Sequence, residues 1–250
     1  MLIRFKERLA ENMVGLIGVA VNTVAVLVGS LFGLLLKKGI PEKFKDILIK
    51  AIGLCTIVIG ISGALEGENT IVMILSMVIG TIIGTLIDID KHFNNLGKKI
   101  ENKFAKKDST DNFAEAFVTA CLVFCIGSMT IVGSLEAGLN GDNEMIYIKS
   151  ILDLISSFVL ASSLGIGVMA SAVFVLVFQG AIVLLSSVVA PILSDSVITE
   201  MVAVGSVLIF ALGLDLTGIK KLKVMNMLPA IFIPIALVPL YEWISGLITF

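Results

Sequence analysis

The sequence predicts an all-α fold, a polytopic transmembrane helix bundle of about eight spans. Three observations carry this. Of the 250 residues, 57% are hydrophobic and only 15% charged, where a soluble domain holds about 25% charged residues. The mean hydropathy is +1.06. The apolar residues also gather in runs near the length that crosses a bilayer, about 20 residues. Eight such runs lie at 14–36, 47–65, 70–88, 113–136, 147–164, 166–189, 198–217 and 226–248. They read as a single transmembrane domain over 13–250, after a charged extension over 1–12.

The extension MLIRFKERLAEN is charged, and the apolar run after it is too long for the core of a cleavable signal. That run therefore reads as the first transmembrane helix. It carries Gly29-Ser-Leu-Phe-Gly33, the third run carries Gly80-Thr-Ile-Ile-Gly84, and the fourth repeats the spacing at Gly133 and Ala137. Small residues four apart let helix backbones approach in lipid, within one chain or across a dimer. The fifth and sixth runs are separated only by Ser163-Leu-Gly165-Ile-Gly167, which permits a tight turn or a break in one long helix. The last run contains Pro229, Pro234 and Pro239. Pro234 is deep enough to interrupt a backbone hydrogen bond and kink the helix.

Charge sets the orientation. The links 37–50, 89–112 and 218–225 hold five, six and three lysines, so 14 of the 18 basic residues fall on one side. The opposing links 66–69, 137–146 and 190–197 have none and carry Glu66, Glu68, Asp142, Glu144 and Asp195. Basic links stay on the cytoplasmic side. Eight spans then place both termini outside, an arrangement that Arg4, Lys6 and Arg8 oppose.

Gly18–Val28 aligns with Gly167–Val177 at six of eleven positions, and Ala51-Ile-Gly53 with Ala203-Val-Gly205. On this topology the paired spans run in opposite directions. A 3+3 inverted repeat with two linking helices is one reading, a plan common in secondary transporters. Chance similarity between valine-rich helices is the other. In the segment 91–107, Phe93, Leu96, Ile100 and Phe104 recur at helical spacing among lysines. An amphipathic helix is expected there, lying on anionic lipid or docked on the protein's own cytoplasmic face.

Chemistry is concentrated in few residues. Lys149 and Asp153 are four apart in the fifth span and meet on one helical face. A charge in hydrocarbon costs roughly 2.5–3.5 kcal/mol on insertion scales and marks a functional site by default. A structural ion pair is the plainer account, with Lys149 reaching for the outer surface. The order lysine-then-aspartate near a helix N-terminus is the less favourable one, which weighs against a purely stabilising pair. Ser156 and Ser157 continue the polar face inward. Asn22 and Gln179, in the first and sixth spans, either pair with another helix or line a cavity together. Ser128 and Thr130 in the fourth span have interhelical hydrogen bonding as their plainer role.

Cys55, Cys121 and Cys125 all fall in apolar runs and read as small buried hydrophobes. The single histidine, His92, lies in a polar link, so no metal site is expected. No phosphate loop, HExxH or GxSxG occurs, and the acidic link 136–144 lacks the spacing of a calcium loop. These absences point away from an enzyme and from any cofactor, and no feature points to nucleic acid.

Met13-Val-Gly-Leu-Ile-Gly-Val-Ala-Val-Asn22-Thr, Val28-Gly29-Ser-Leu-Phe-Gly33 and the central Phe124-Cys-Ile-Gly127-Ser-Met129-Thr130-Ile-Val-Gly133-Ser-Leu are the most telling stretches. With Gly141-Asp142, Lys149-Ser150, Asp153 and Gln179-Gly180, they resemble the YdfK/YqgA-like bacterial membrane proteins (domain of unknown function 554). The resemblance runs over nearly the whole chain from Met13, and the extension before it departs from the usual start. It implies a multi-pass protein of the bacterial cytoplasmic membrane with transport activity, and brings no residue roles.

The expected function is a secondary transporter or ion-coupled permease for a small solute or ion. Asp153 would bind a cation or proton. Lys149 would tune that charge or receive an anionic group. Asn22, Gln179, Ser156, Ser157, Thr130 and Ser128 would stand near the pathway. Membrane lipids are expected partners, with a homodimer also consistent with the glycine patterns. The alternative is a non-transporting membrane scaffold or sensor, and a membrane-embedded enzyme ranks third.

Overall fold

The computed structural model describes residues 2–37, 42–92, 95 and 113–248. Helices are its only regular elements among those residues: α1 (Leu2–Lys37), α2 (Glu42–Ala64), α3 (Thr70–Ile87), α4 (Phe113–Cys125), α5 (Ser128–Asn140), α6 (Glu144–Leu164), α7 (Ile166–Val189), α8 (Asp195–Thr217), a 3₁₀ helix (Val224–Phe232) and α9 (Pro234–Ile248). Six helices are each long and apolar enough to cross a membrane. Two further pairs, α4–α5 and the 3₁₀ helix with α9, are bent by 59° and 47°, and they bring the total to eight if each pair is one span. The eight apolar runs are thus recovered, with the fourth and eighth broken. Pro234 marks the second break, as its missing N–H predicts. The first break falls at Ile126–Gly127, where the sequence reads as one continuous run. The segment 91–107 lies outside the described residues except for Lys91, His92 and Asn95.

The chain divides into two compact units. One gathers α1, α4, α5, α6 and α7; the other gathers α3, α8, the 3₁₀ helix, α9 and α2 from Ile49 onward.

In the first unit α1 and α6 run in the same direction. Gly18 meets Asn143, Gly29 meets Leu154 and Ser157, and Gly33 meets Phe158 and Ala161. A Cβ on Gly29 or Gly33 would overlap a backbone carbonyl of α6. The first GxxxG pattern therefore serves packing within the chain, where backbone proximity replaces the hydrophobic drive that lipid abolishes. Helix α7 runs the other way: Gly15 faces Val183, and Gly180 faces Leu16. The reversal between α6 and α7 takes one residue. Gly165 has φ 93° and ψ −154°, a region essentially closed to residues with a Cβ. Lys37 Nζ donates to Ser163 O at 3.1 Å, tying the ends of α1 and α6 at the lysine-rich side.

In the second unit α2 and α8 are antiparallel. Gly53 meets Leu216 and Thr217, Gly60 meets Phe210, and Gly63 meets Ser206. Helix α3 lies antiparallel to the 3₁₀ helix, with Gly80 against Ala230 and Gly84 against the Asn226 carbonyl. The second GxxxG pattern is thus also internal. Asn69 caps α3 by accepting from Ile71 and Val72 N–H groups. Asn226 Oδ1 accepts from Asp90 N at 2.8 Å at the opposite end.

Candidate functional site

Four of the residues singled out from the sequence converge in the first unit. Asn22 stands near the middle of the apolar part of α1, Gln179 on α7, and Lys149 and Asp153 on α6. Asn22 Nδ2 donates to Asp153 Oδ2 at 3.0 Å and to Gln179 Oε1 at 2.9 Å. Lys149 Nζ donates to the same Asp153 Oδ2 at 2.5 Å. The parallel run of α1 and α6 sets Asn22 level with the pair, and the one-residue reversal at Gly165 returns α7 to bring Gln179 opposite. Asn22 and Gln179 are fully buried, and Lys149 and Asp153 are each 5% exposed. Helix α6 begins at Glu144, earlier than the apolar run suggested. Asp153 is therefore about 13 Å from the helix start at 1.5 Å per residue, close to the middle of α6. Lys149 is turned inward to Asp153 and does not reach for the surface.

Two polar atoms of the network have no partner among the described residues: Asn22 Oδ1 and Gln179 Nε2. An unsatisfied buried donor or acceptor costs about 1–3 kcal/mol, more than a folded protein keeps without reason. One is an acceptor and the other a donor, so a small polar group able to do both would satisfy them.

The remaining candidates sit differently. Ser157 is buried beside Gly29 and donates to Leu154 O at 3.0 Å. Ser156 is only partly buried and makes no hydrogen bond to the four. Thr130 is fully buried and donates to Phe124 O at 2.9 Å, closing the break between α4 and α5. The bond joins the two helices. Thr130→Val is expected to lower stability by about 1 kcal/mol, read as a shift in thermal midpoint. The side chain of Ser128 lies outside the described residues. Cys125, at the end of α4, is buried. Cys121 is also buried and Cys55 exposed.

Sequence reasoning passed over Glu200. It lies in the second turn of α8 in the second unit and is 2% exposed. Its Oε1 accepts from Glu68 N at 2.8 Å and Asn69 N at 2.7 Å. A carboxylate inside the run 198–217 was the available signal.

A family model described as "Protein of unknown function (DUF554)" matches residues 17–239. The chain belongs to this family. "Uncharacterized membrane protein YdfK" of Bacillus subtilis (strain 168) is 38% identical over 221 residues, 87% of this chain and 93% of that protein. "Uncharacterized protein YqgA" of Escherichia coli (strain K12) is 31% identical over 224 residues, 88% of this chain and 95% of that protein. No solved structure matches. Membership in DUF554 and the apolar helices make this a multi-pass membrane protein, and neither relative's name carries a substrate.

Proposed function

We propose that this protein is a secondary transporter or ion-coupled permease for a small solute or ion, working in the bacterial cytoplasmic membrane. The observation that carries the reading is the convergence of Asn22, Lys149, Asp153 and Gln179 from three spans into one buried network with two unpartnered amide atoms. Ionisable groups at membrane depth are expensive and mark ion or substrate pathways. The network is electrically balanced as it stands, because Lys149 occupies one oxygen of Asp153. Lys149 acts as an internal stand-in for a cation. A proton or metal cation arriving at Asp153 displaces it, and the freed ammonium can then take an anionic group. Asn22 and Gln179 supply the orienting hydrogen bonds.

The span arrangement supports the same reading. The helices aligned as an inverted repeat, α1 with α7 and α2 with α8, are antiparallel neighbours within their units. A repeat of that kind would place substrate sites near the midplane, and Asp153 and Asn22 stand near the middle of their apolar helices.

The scaffold reading has one observation of its own. Neither Asn22 nor Gln179 exposes any surface, as a purely structural network would require. A solute-binding screen by thermal shift on the purified protein separates the two. Transport predicts a solute or ion that raises the midpoint of the native protein and not of Asp153→Asn. An equal rise in a folded Asp153→Asn removes Asp153 from the site, and a screen with no stabilising solute favours the scaffold.

A further inference from the structure

The second unit holds a cavity of about 260 Å³ at its lysine-poor end, lined by Glu68, Glu200, Tyr241 and Glu242 with Ser196 and Asn69. Val72 and Val238 complete its apolar wall. Glu200 is the anchor. It is 2% exposed, and two backbone N–H groups fix its Oε1. Capping that turn uses one oxygen only. Oε2 is buried and has no hydrogen-bond partner among the described residues, an arrangement that costs more for a carboxylate than for a neutral group. A cap alone does not explain it.

Three carboxylates line this cavity, and no lysine or arginine is among the lining residues. Such a lining favours a cationic ligand. Among the described residues no group of His, Cys, Asp and Glu is set closely enough to hold a metal ion, so the carboxylates surround the space without converging on a point. An ammonium group suits that spacing. It has three donors, enough to reach Oε2 and a neighbouring carboxylate together. Its carbon chain finds Val72 and Val238, and Tyr241 offers an aromatic face of the kind that attracts cations. The volume lies below the range of drug-sized sites, about 300–1,000 Å³, which limits the ligand to a few carbons.

We propose that this cavity binds a small organic ammonium, with Glu200 Oε2 as the principal acceptor. The site lies in the other unit from Asp153 and does not rest on the transport reading.

The test is calorimetric titration of the full chain in detergent with ethylammonium, with tetramethylammonium, potassium and calcium as comparisons. Ethylammonium is expected to bind saturably, and more tightly than tetramethylammonium, which has no N–H to donate. Glu200→Gln keeps an oxygen for the two backbone donors and loses the charge. It is expected to weaken binding about tenfold or more. Glu242→Gln, at the exposed rim, is expected to weaken it a few-fold, and serves if Glu200→Gln does not fold. Asp153→Asn is expected to bind as the native protein does. Absence of ethylammonium binding, equal affinity in Glu200→Gln, no change in Glu242→Gln when that is the variant that folds, or preference for calcium would each overturn the proposal.

Discussion

Asp153→Ala is expected to destabilise the protein by about 3–5 kcal/mol, because it leaves the Lys149 ammonium buried without its carboxylate. The same substitution removes the acceptor for Asn22 Nδ2 and so loosens α1 from α6. Removing both charges should behave otherwise. Lys149→Met with Asp153→Leu replaces a desolvated pair by apolar groups of similar volume, which is often neutral or stabilising. The double variant is expected to recover most of the loss, and Asp153→Asn, which keeps the shape and an acceptor oxygen, to be milder than alanine. Equilibrium unfolding in mixed micelles reads all of these. A double variant as unstable as the sum of its single ones would show that the two residues do not act as a pair.

Gly29→Leu is the second large effect. A Cβ at Gly29 alone meets the carbonyl oxygen of Leu154 and Oγ of Ser157. The first is backbone and cannot rotate aside, so α1 and α6 must separate. Overpacking usually costs about 1–3 kcal/mol. Here the separation also strains the 3.0 Å bond between Asn22 and Asp153 two turns away, so a loss of about 3 kcal/mol or more is expected. Gly180→Ala is the control. It stands next to Gln179, yet an added Cβ finds only Leu16 Cδ2 at 3.9 Å. Alanine there should be neutral or raise stability by about 0.5–1 kcal/mol through helix propensity. Similar midpoints for the two variants would show that the glycines do not set the helix spacing.

Much of this was legible in the sequence, for physical reasons. Hydrocarbon thickness fixes span length, so the eight apolar runs could be counted. Desolvation makes a mid-span charge or amide conspicuous, so Asn22, Lys149, Asp153 and Gln179 stood out before their contacts were known. Pro234 announced its break through a missing N–H. The bend at Gly127 gave no such sign. Ser128, Thr130 and Ser134 interrupt the run from Phe124 to Leu135 without ending its apolar character, and Thr130 closes the break through a side-chain bond that hydropathy does not register. The start of α6 was not legible from the apolar run at 147–164, because Glu144, with Met145 and Ile146, continues the helix outward. Glu200 escaped because its partners, the Glu68 and Asn69 N–H groups, are some 130 residues away in the chain. The two units escaped as well. A helix face against lipid and a face against protein are both apolar, so composition does not say which helices pack together.

The most direct measurement of the central claim is solute flux into proteoliposomes, using the solute or ion that stabilises the purified protein. The native chain is expected to carry it. Asp153→Asn, reconstituted in the same amount and with an unaltered circular-dichroism spectrum, is expected to carry none. Equal flux through both would contradict the role given to Asp153, and a native protein that binds the solute but moves none of it would contradict transport itself.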